Sequence, residues 1–266
     1  MAEAMTSWRL IATTPGDGRL NMAIDEALLF AFDPQHSAPL LRLYGWDPPA
    51  LSLGRFQDED QLLDRERCAA AGVPVVQRIT GGGIIFHADE LTYSLVCSPR
   101  HLPCVASVKE SFRTLTSFIL HFYRGLGLDA AHAADVLPPG PRLGERTAFC
   151  FAGKESYDIL IAGRKIGGNA QRRLRNTIFQ HGSIPLVNRA AEGARFLREA
   201  SVLGAGETAA LADFGITLCR ADLATLLASS FTATFGVPLC PSPLTPAEES
   251  LAISLAAGVP PQDVAP

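Results

Sequence analysis

Apolar positions along this chain fall into short strand-like runs and a few longer stretches at helical spacing. Trp8–Ala12 reads as a first strand and ends at the turn Pro15-Gly16-Asp17-Gly18. Across 20–32, Met22, Ala23, Ala27 and Phe30 recur with Ile24, Leu28 and Leu29 on a helical period that Asp33-Pro34 closes. Two apolar runs, 39–43 and 50–53, flank Gly45-Trp46-Asp47-Pro48-Pro49 and predict a hairpin. A helix is expected over 60–71, closing at Gly72, with strands over 74–79, 83–87 and 91–97.

The second half repeats the mixture. Val108, Phe112, Leu115, Phe118, Ile119 and Phe122 set a long helix over 105–125. The proline- and glycine-broken stretch 135–146 predicts a surface loop leading to Cys150. Residues 157–162 and 164–172 predict a hairpin over Ala162-Gly163, followed by a strand at 178–184 and helices at 191–199 and 220–235. Residues 241–266 hold six prolines around one short helix at 246–257, so a tail is expected there. Strands and helices in this irregular order, without regular βαβ units, indicate an α+β fold with a mixed, largely antiparallel sheet flanked by helices.

Composition narrows the function classes. With 266 residues and 47% hydrophobic content, the chain can bury one large core. A formal net charge of −4 argues against general nucleic-acid binding, which needs a basic face. No run of about 18 apolar residues predicts a membrane span, and Met-Ala-Glu-Ala-Met-Thr-Ser-Trp-Arg does not read as a signal peptide, so a cytoplasmic location is expected. The six cysteines are scattered, contain no CxxC pair and predict free thiols without a structural metal. Most are expected to be small buried hydrophobes.

Two segments carry the candidate chemistry. In the first, 77–94, Gly81, Gly82 and Gly83 separate two apolar runs, with Arg78 and His87 on either side. Such a run lets backbone amides approach a ligand closely, although by itself it reads as well as a hairpin turn. In the second, 147–184, Cys150 precedes Gly163-Arg164-Lys165-Ile166-Gly167-Gly168-Asn169. A cysteine thiolate attacks an acyl thioester to give another thioester of similar energy, but composition alone favours an inert loop or core thiol at Cys150. Lys165, in a predicted tight turn, suits an oxyanion contact or a solvated hairpin tip. Gly167 and Gly168 would let the chain pass close to an acyl group.

Together with Asn21-Met22-Ala23-Ile24-Asp25-Glu26-Ala27, these blocks resemble the lipoate–protein ligase, octanoyltransferase and biotin ligase superfamily. Glu90-Leu91-Thr92-Tyr93-Ser94 and the placement of Cys150 are similar to the cysteine-dependent octanoyltransferases. The resemblance implies a biotin/lipoate ligase-like catalytic domain over 1–240, its core at about 34–225, with 241–266 as a tail. It implies Cys150 as acyl acceptor, Lys165 as the contact to the acyl carbonyl, and Arg78, Gly81, Gly82, Gly83, His87, Gly167, Gly168 and Asn169 around the substrate. The aspartate that often follows the family histidine is Ala88 here, so Asp89 would take that place with a one-residue shift. His181 matches a family motif as a structural polar residue, and Thr92, Tyr93, Tyr44 and Trp46 are candidates to line the acyl slot.

The implied reaction is octanoyl transfer from acyl carrier protein to a lysine of lipoyl-accepting domains such as glycine cleavage H protein or 2-oxoacid dehydrogenase E2. No cofactor and no metal are implied. The cluster Gln171-Arg172-Arg173-Leu174-Arg175 would dock the acidic carrier. Three alternatives stay open: ATP-dependent lipoate ligation with a separate accessory subunit, octanoyl amidotransfer between lipoyl domains, and non-catalytic carrier binding.

Overall fold

A computed structural model describes residues 7–103, 107–138, 156–199 and 207–259. β1 (Trp8–Ala12) leads to α1 (Gly18–Ala31), whose first turn is capped by Asp17 accepting the Leu20 N–H at 2.8 Å. β2 (Leu40–Tyr44), β3 (Ala50–Leu53), α2 (Glu59–Leu62), α3 (Arg65–Ala70), β4 (Val75–Gln77), β5 (Ile85–His87) and β6 (Glu90–Cys97) follow. α4 (Val108–Gly125) opens on a capping box between Ser107 and Glu110. After it come β7 (Ala130–His132), α5 (Ala133–Val136), β8 (Ile159–Ile161), β9 (Arg164–Ile166), β10 (Gly168–Leu174) and β11 (Thr177–Pro185). The chain closes with α6 (Ala190–Ala194), β12 (Thr208–Ala209), α7 (Arg220–Phe235), β13 (Leu239–Pro241) and α8 (Pro246–Ala256).

Among the described residues, the strands form three sheets. The largest has the order β10-β11-β6-β2-β1-β13, antiparallel from β10 to β2 and parallel from β2 to β13. A second sheet runs β12-β9-β8-β7 and a third β4-β3-β5. The architecture is the mixed α+β arrangement that the strand and helix order predicts. Its main core lies where α4 and α7 cover the large sheet, with Leu115, Phe118, Phe122 and Phe231 on Tyr93, Leu95 and Trp8. Each such side chain contributes about 1.5–3 kcal/mol on leaving water.

Several expected elements differ, each for a local reason. The runs 39–43 and 50–53 do not pair with each other. β2 joins β1 and β6, whereas β3 joins β4 and β5, because the intervening turn carries the chain from one sheet to another. The helix expected at 60–71 is two helices: buried Leu63 interrupts it, and Asp64 starts a new one by accepting the Arg67 N–H at 3.0 Å. The strand expected at 164–172 breaks at Gly167, so that β9 stays in the four-stranded sheet while β10 crosses to the large one. Gly167 has φ 71°, and a Cβ there would lie 2.0 Å from the Ser183 carbonyl oxygen, so only glycine fits the crossing.

The predicted short helix after residue 240, here α8, packs on α1. Ala252 is buried, and Arg9 Nη1 pairs with Glu248 Oε1 at 2.6 Å. Among the described residues, no helix is long and apolar enough to cross a membrane.

Candidate active site

Residues from all three sheets line a cleft of about 810 Å³, a size suited to a small ligand or the reactive end of a larger one. Arg78, Gly81, Gly82, Gly83, His87, Lys165, Gly168 and Asn169 all stand on its wall. Segments separated by some eighty residues in sequence therefore converge on one space. Gly167 stands at the adjoining sheet crossing. Cys150 lies outside the described residues.

The loop between β4 and β5 is held from within the protein. Arg78 is buried and donates from Nη1 to the Ser52 carbonyl at 2.9 Å and to Ser52 Oγ at 3.1 Å. Its Nη2 donates to the carbonyls of Gly81 at 3.0 Å and Gly83 at 2.7 Å. These bonds are charge-assisted and fix a loop that glycine would otherwise leave mobile. Gly82, with φ 98°, takes a conformation that L side chains rarely adopt.

His87 sits between two partners. Its Nε2 is 2.7 Å from Ser52 Oγ and its Nδ1 is 2.8 Å from Glu90 Oε1. The ring stacks on Trp46 with centroids 3.8 Å apart, and Trp46 Nε1 donates to Thr92 Oγ1 at 2.8 Å. The role suggested for Asp89 belongs to Glu90 instead. Asp89 has φ 48° and turns outward to Arg189, 2.7 Å away. Burial alone would raise the Glu90 carboxyl, but His87 and the hydroxyls of Ser183 and Thr92 outweigh it and hold the group below its ordinary range.

A second buried carboxylate reaches the other end of the glycine loop. Asp25 accepts from Arg42 Nη1 at 2.7 Å, Tyr44 Oη at 2.8 Å and Ser94 Oγ at 2.8 Å. His181 Nδ1 lies 3.7 Å from Asp25 Oδ2, and its Nε2 is 2.7 Å from Thr80 Oγ1. Burial lowers the His181 pKa more than Asp25 restores it, so the ring is neutral near pH 7.

Lys165 is placed differently from the sequence expectation. The tight turn is Ala162-Gly163, with φ of 49° and 76°, and Lys165 stands beyond it on β9, buried and not at a solvated tip. Its Nζ is 2.7 Å from Asp158 Oδ2. Asn169 Oδ1 accepts from Tyr93 Oη at 2.6 Å, and Gln180 Nε2 donates to the same hydroxyl at 3.2 Å. Ser52, Glu90, Asp158 and Asp25 were not among the sequence candidates for the site. Glu90, three residues after His87, carried a readable signal; Ser52, inside an apolar run, carried none.

The basic cluster is split by the pleat of β10. Arg172 donates to the Ile79 carbonyl at 3.4 Å and shares its surroundings with Glu26 and Arg55. Arg173 points to the opposite face and reaches Ser111 at the start of α4. Of the cysteines among the described residues, Cys68 and Cys97 are buried, and Cys219 and Cys240 are exposed. Among the described residues, no group of three or more His, Cys, Asp or Glu side chains is disposed to hold a metal.

Comparison with known proteins agrees with this geometry. Residues 17–211 match the lipoyl protein ligase A/B catalytic domain. Octanoyltransferase LipM of Oceanobacillus iheyensis is 38% identical over 179 residues, which span 67% of this chain and 64% of that protein. Octanoyltransferase LipM of Symbiobacterium thermophilum is 36% identical over 262 residues and 94% of both chains. Among solved structures, lipoate-protein ligase A bound with ATP superposes with a TM-score of 0.79 at 25% identity, covering 94% of each chain. A bi-partite lipoate protein ligase from Thermoplasma acidophilum, studied with its E2 lipoyl domain, superposes at 0.78 with 23% identity, covering 98% of this chain and all of that one; at that identity it supports the fold alone. The chain belongs to the lipoyl protein ligase A/B catalytic domain family.

Proposed function

We propose that this protein transfers an octanoyl group from acyl carrier protein to a lysine of a lipoyl-accepting domain, through a thioester on Cys150. The observation that carries the reading is the cleft itself. It gathers the glycine loop, Lys165 and Asn169 in a chain whose full-length relative is named an octanoyltransferase. In the first step the Cys150 thiolate attacks the carbonyl carbon of the carrier thioester. The new C–S bond forms as the bond to the pantetheine sulfur breaks, and that sulfur leaves as a thiolate that takes up a proton. In the second step the target lysine amine attacks the same carbon, forms the amide, loses a proton and returns Cys150 as a thiolate.

Lys165 and the loop amides would meet the oxyanion of each tetrahedral intermediate, where fixed donors act without reorganisation. The donor thioester supplies the activation, so the reaction needs no nucleotide. A second reading is ATP-dependent lipoate ligation, favoured by the superposition on an ATP-bound ligase. One experiment separates them. The protein is mixed with octanoyl-acyl carrier protein without ATP, and intact mass is followed. One octanoyl adduct is expected, absent in Cys150→Ala and discharged by an apo lipoyl domain. Modification of that domain from free octanoate plus ATP would replace transfer with ligation.

A further inference from the structure

Glu90, His87 and Ser52 have the connectivity of a hydrolase triad. Arg78 can only donate, so Ser52 Oγ accepts from it at 3.1 Å. His87 Nε2 lies 2.7 Å from the same oxygen. The ionised Glu90 carboxylate can only accept, so His87 Nδ1 donates to its Oε1 at 2.8 Å. Ser52 borders the cleft but is buried, and a guanidinium lies against its oxygen and occupies the side from which an acyl carbon would be attacked. What the serine touches instead is the residue that grips the carbonyls of Gly81 and Gly83.

We propose that Ser52, His87 and Glu90 are positioning residues that form a buried bracket from β6 to Arg78, and that Arg78 in turn fixes the Gly81–Gly83 backbone facing the cleft. Three successive glycines have more conformational freedom than any other tripeptide, and amides that stabilise an oxyanion act only if they are set beforehand. The bracket supplies that order from the core. Trp46 prevents the His87 ring from turning by stacking on it at 9° and ties into the same carboxylate through Thr92. The catalytic consequence rests on the proposed octanoyl transfer; the mechanical one does not.

The test uses Ser52→Ala, which deletes one hydroxyl and with it the link from His87 to Arg78, while leaving the His87–Glu90 contact in place. Backbone ¹⁵N relaxation of the full chain is read at Gly81, Gly82 and Gly83. Order parameters near about 0.85 in the parent should fall toward about 0.6 in the variant, with the rest of the sheet unchanged. Octanoyl transfer should lose about tenfold in kcat, with KM for the octanoyl donor changed less than about twofold, as expected for an interaction realised in the transition state.

Glu90→Gln should add little to Ser52→Ala, because both break one chain and their effects should not add. If Glu90→Gln fails to fold, His87→Gln takes its place in the cycle. Unchanged order parameters in Ser52→Ala, or fully additive losses in the double variant, would overturn the bracket. So would covalent labelling of Ser52 by a fluorophosphonate, which would make it a nucleophile. Loosened glycines in a protein whose parent shows no octanoyl transfer would support the bracket and remove the proposed reaction.

Discussion

Lys165 Nζ stands 2.7 Å from Asp158 Oδ2, and both side chains are buried. The hairpin register explains why they meet. Leu160 faces Lys165 directly across β8 and β9, so Asp158, two residues earlier, falls on the same side and diagonally opposite the lysine. The pair places a cation and its carboxylate partner side by side in the cleft wall.

Lys165→Gln should therefore cost twice. Loss of the oxyanion contact should slow octanoyl transfer by about a hundredfold, on the order of 3 kcal/mol. Removing the cation from beside a buried carboxylate should also destabilise the fold by on the order of 3 kcal/mol. Steady-state kinetics and thermal unfolding read the two separately. Parent-like turnover would remove the oxyanion role, and a parent-like Tm would remove the ion pair from the stability of the fold.

Much of the fold was legible because it lies in local periodicity. β1, α1, α4, β11 and α7 all sit where the apolar spacing predicts them, and Ala162-Gly163 makes the turn that its composition suggests. The failures come from tertiary choices. Nothing between Leu43 and Ala50 says that the two strands belong to different sheets; that is decided by Trp46 packing over His87 and bonding Thr92. Likewise, Asp89 and Glu90 are indistinguishable as partners for His87 until the backbone turns through positive φ at Asp89 and aims it at Arg189. The glycine loop, Arg78 and His87 could be found from sequence, but the Ser52 that joins them could not, since it lies 26 residues from Arg78 inside an apolar run.

Acid stability should report on Glu90. The sign follows from its lowered pKa in the folded state. At neutral pH the carboxyl is ionised in both states, and its stabilising contacts are fully present. As pH falls through the ordinary glutamate value near 4.3, the unfolded chain takes up the proton first, so stability drops until the folded value is passed. Asp25, also lowered, acts in the same direction. Urea unfolding from pH 7 to 3 should show a shallower acid limb in Glu90→Gln than in the parent; superimposable limbs would contradict the ionised carboxylate.

Gly167→Ala should damage the crossing between β9 and β10. An added Cβ meets the Ser183 carbonyl oxygen at 2.0 Å, and φ 71° disfavours it besides. Since that contact is backbone, relief requires moving β11, and a loss of about 3 kcal/mol or more is expected. Gly163→Ala, with φ 76° but open space around its Cβ position, should cost only about 1 kcal/mol. Equal melting temperatures for the two variants would show that the clash does not matter.

Cysteine reactivity should divide by burial. The Cys97 thiol is pushed up to about 12 by its buried position and should resist alkylation in the native protein. Cys219 and Cys240 are exposed and should be modified readily. An octanoyl adduct seen by intact mass therefore needs peptide mapping, with Cys219→Ser/Cys240→Ser as background. In that background one adduct should remain. Its disappearance would assign the acyl group to a surface thiol and not to Cys150.

The arginines of β10 and of the turn that follows it should separate steering from contact. Arg172, Arg173 and Arg175 add equally to the field felt by an approaching acidic carrier, since fields extend about 8–10 Å at ordinary ionic strength. Each single change to Ser should therefore lower kcat/KM for octanoyl-acyl carrier protein at low salt by a similar factor. Contact is not shared in this way, because Arg172 and Arg173 leave opposite faces of the strand, and Arg173 is engaged with Ser111 of α4. At high salt, where steering is screened, only Arg172→Ser should keep a raised KM if the carrier docks over the face shared with Arg55. Octanoyl-pantetheine, which carries no acidic protein surface, should be used equally well by all variants. A KM for that small thioester that rises in step with the carrier's would place Arg172 in the acyl site. Three variants alike at every salt concentration would leave the cluster a steering charge without a docking face.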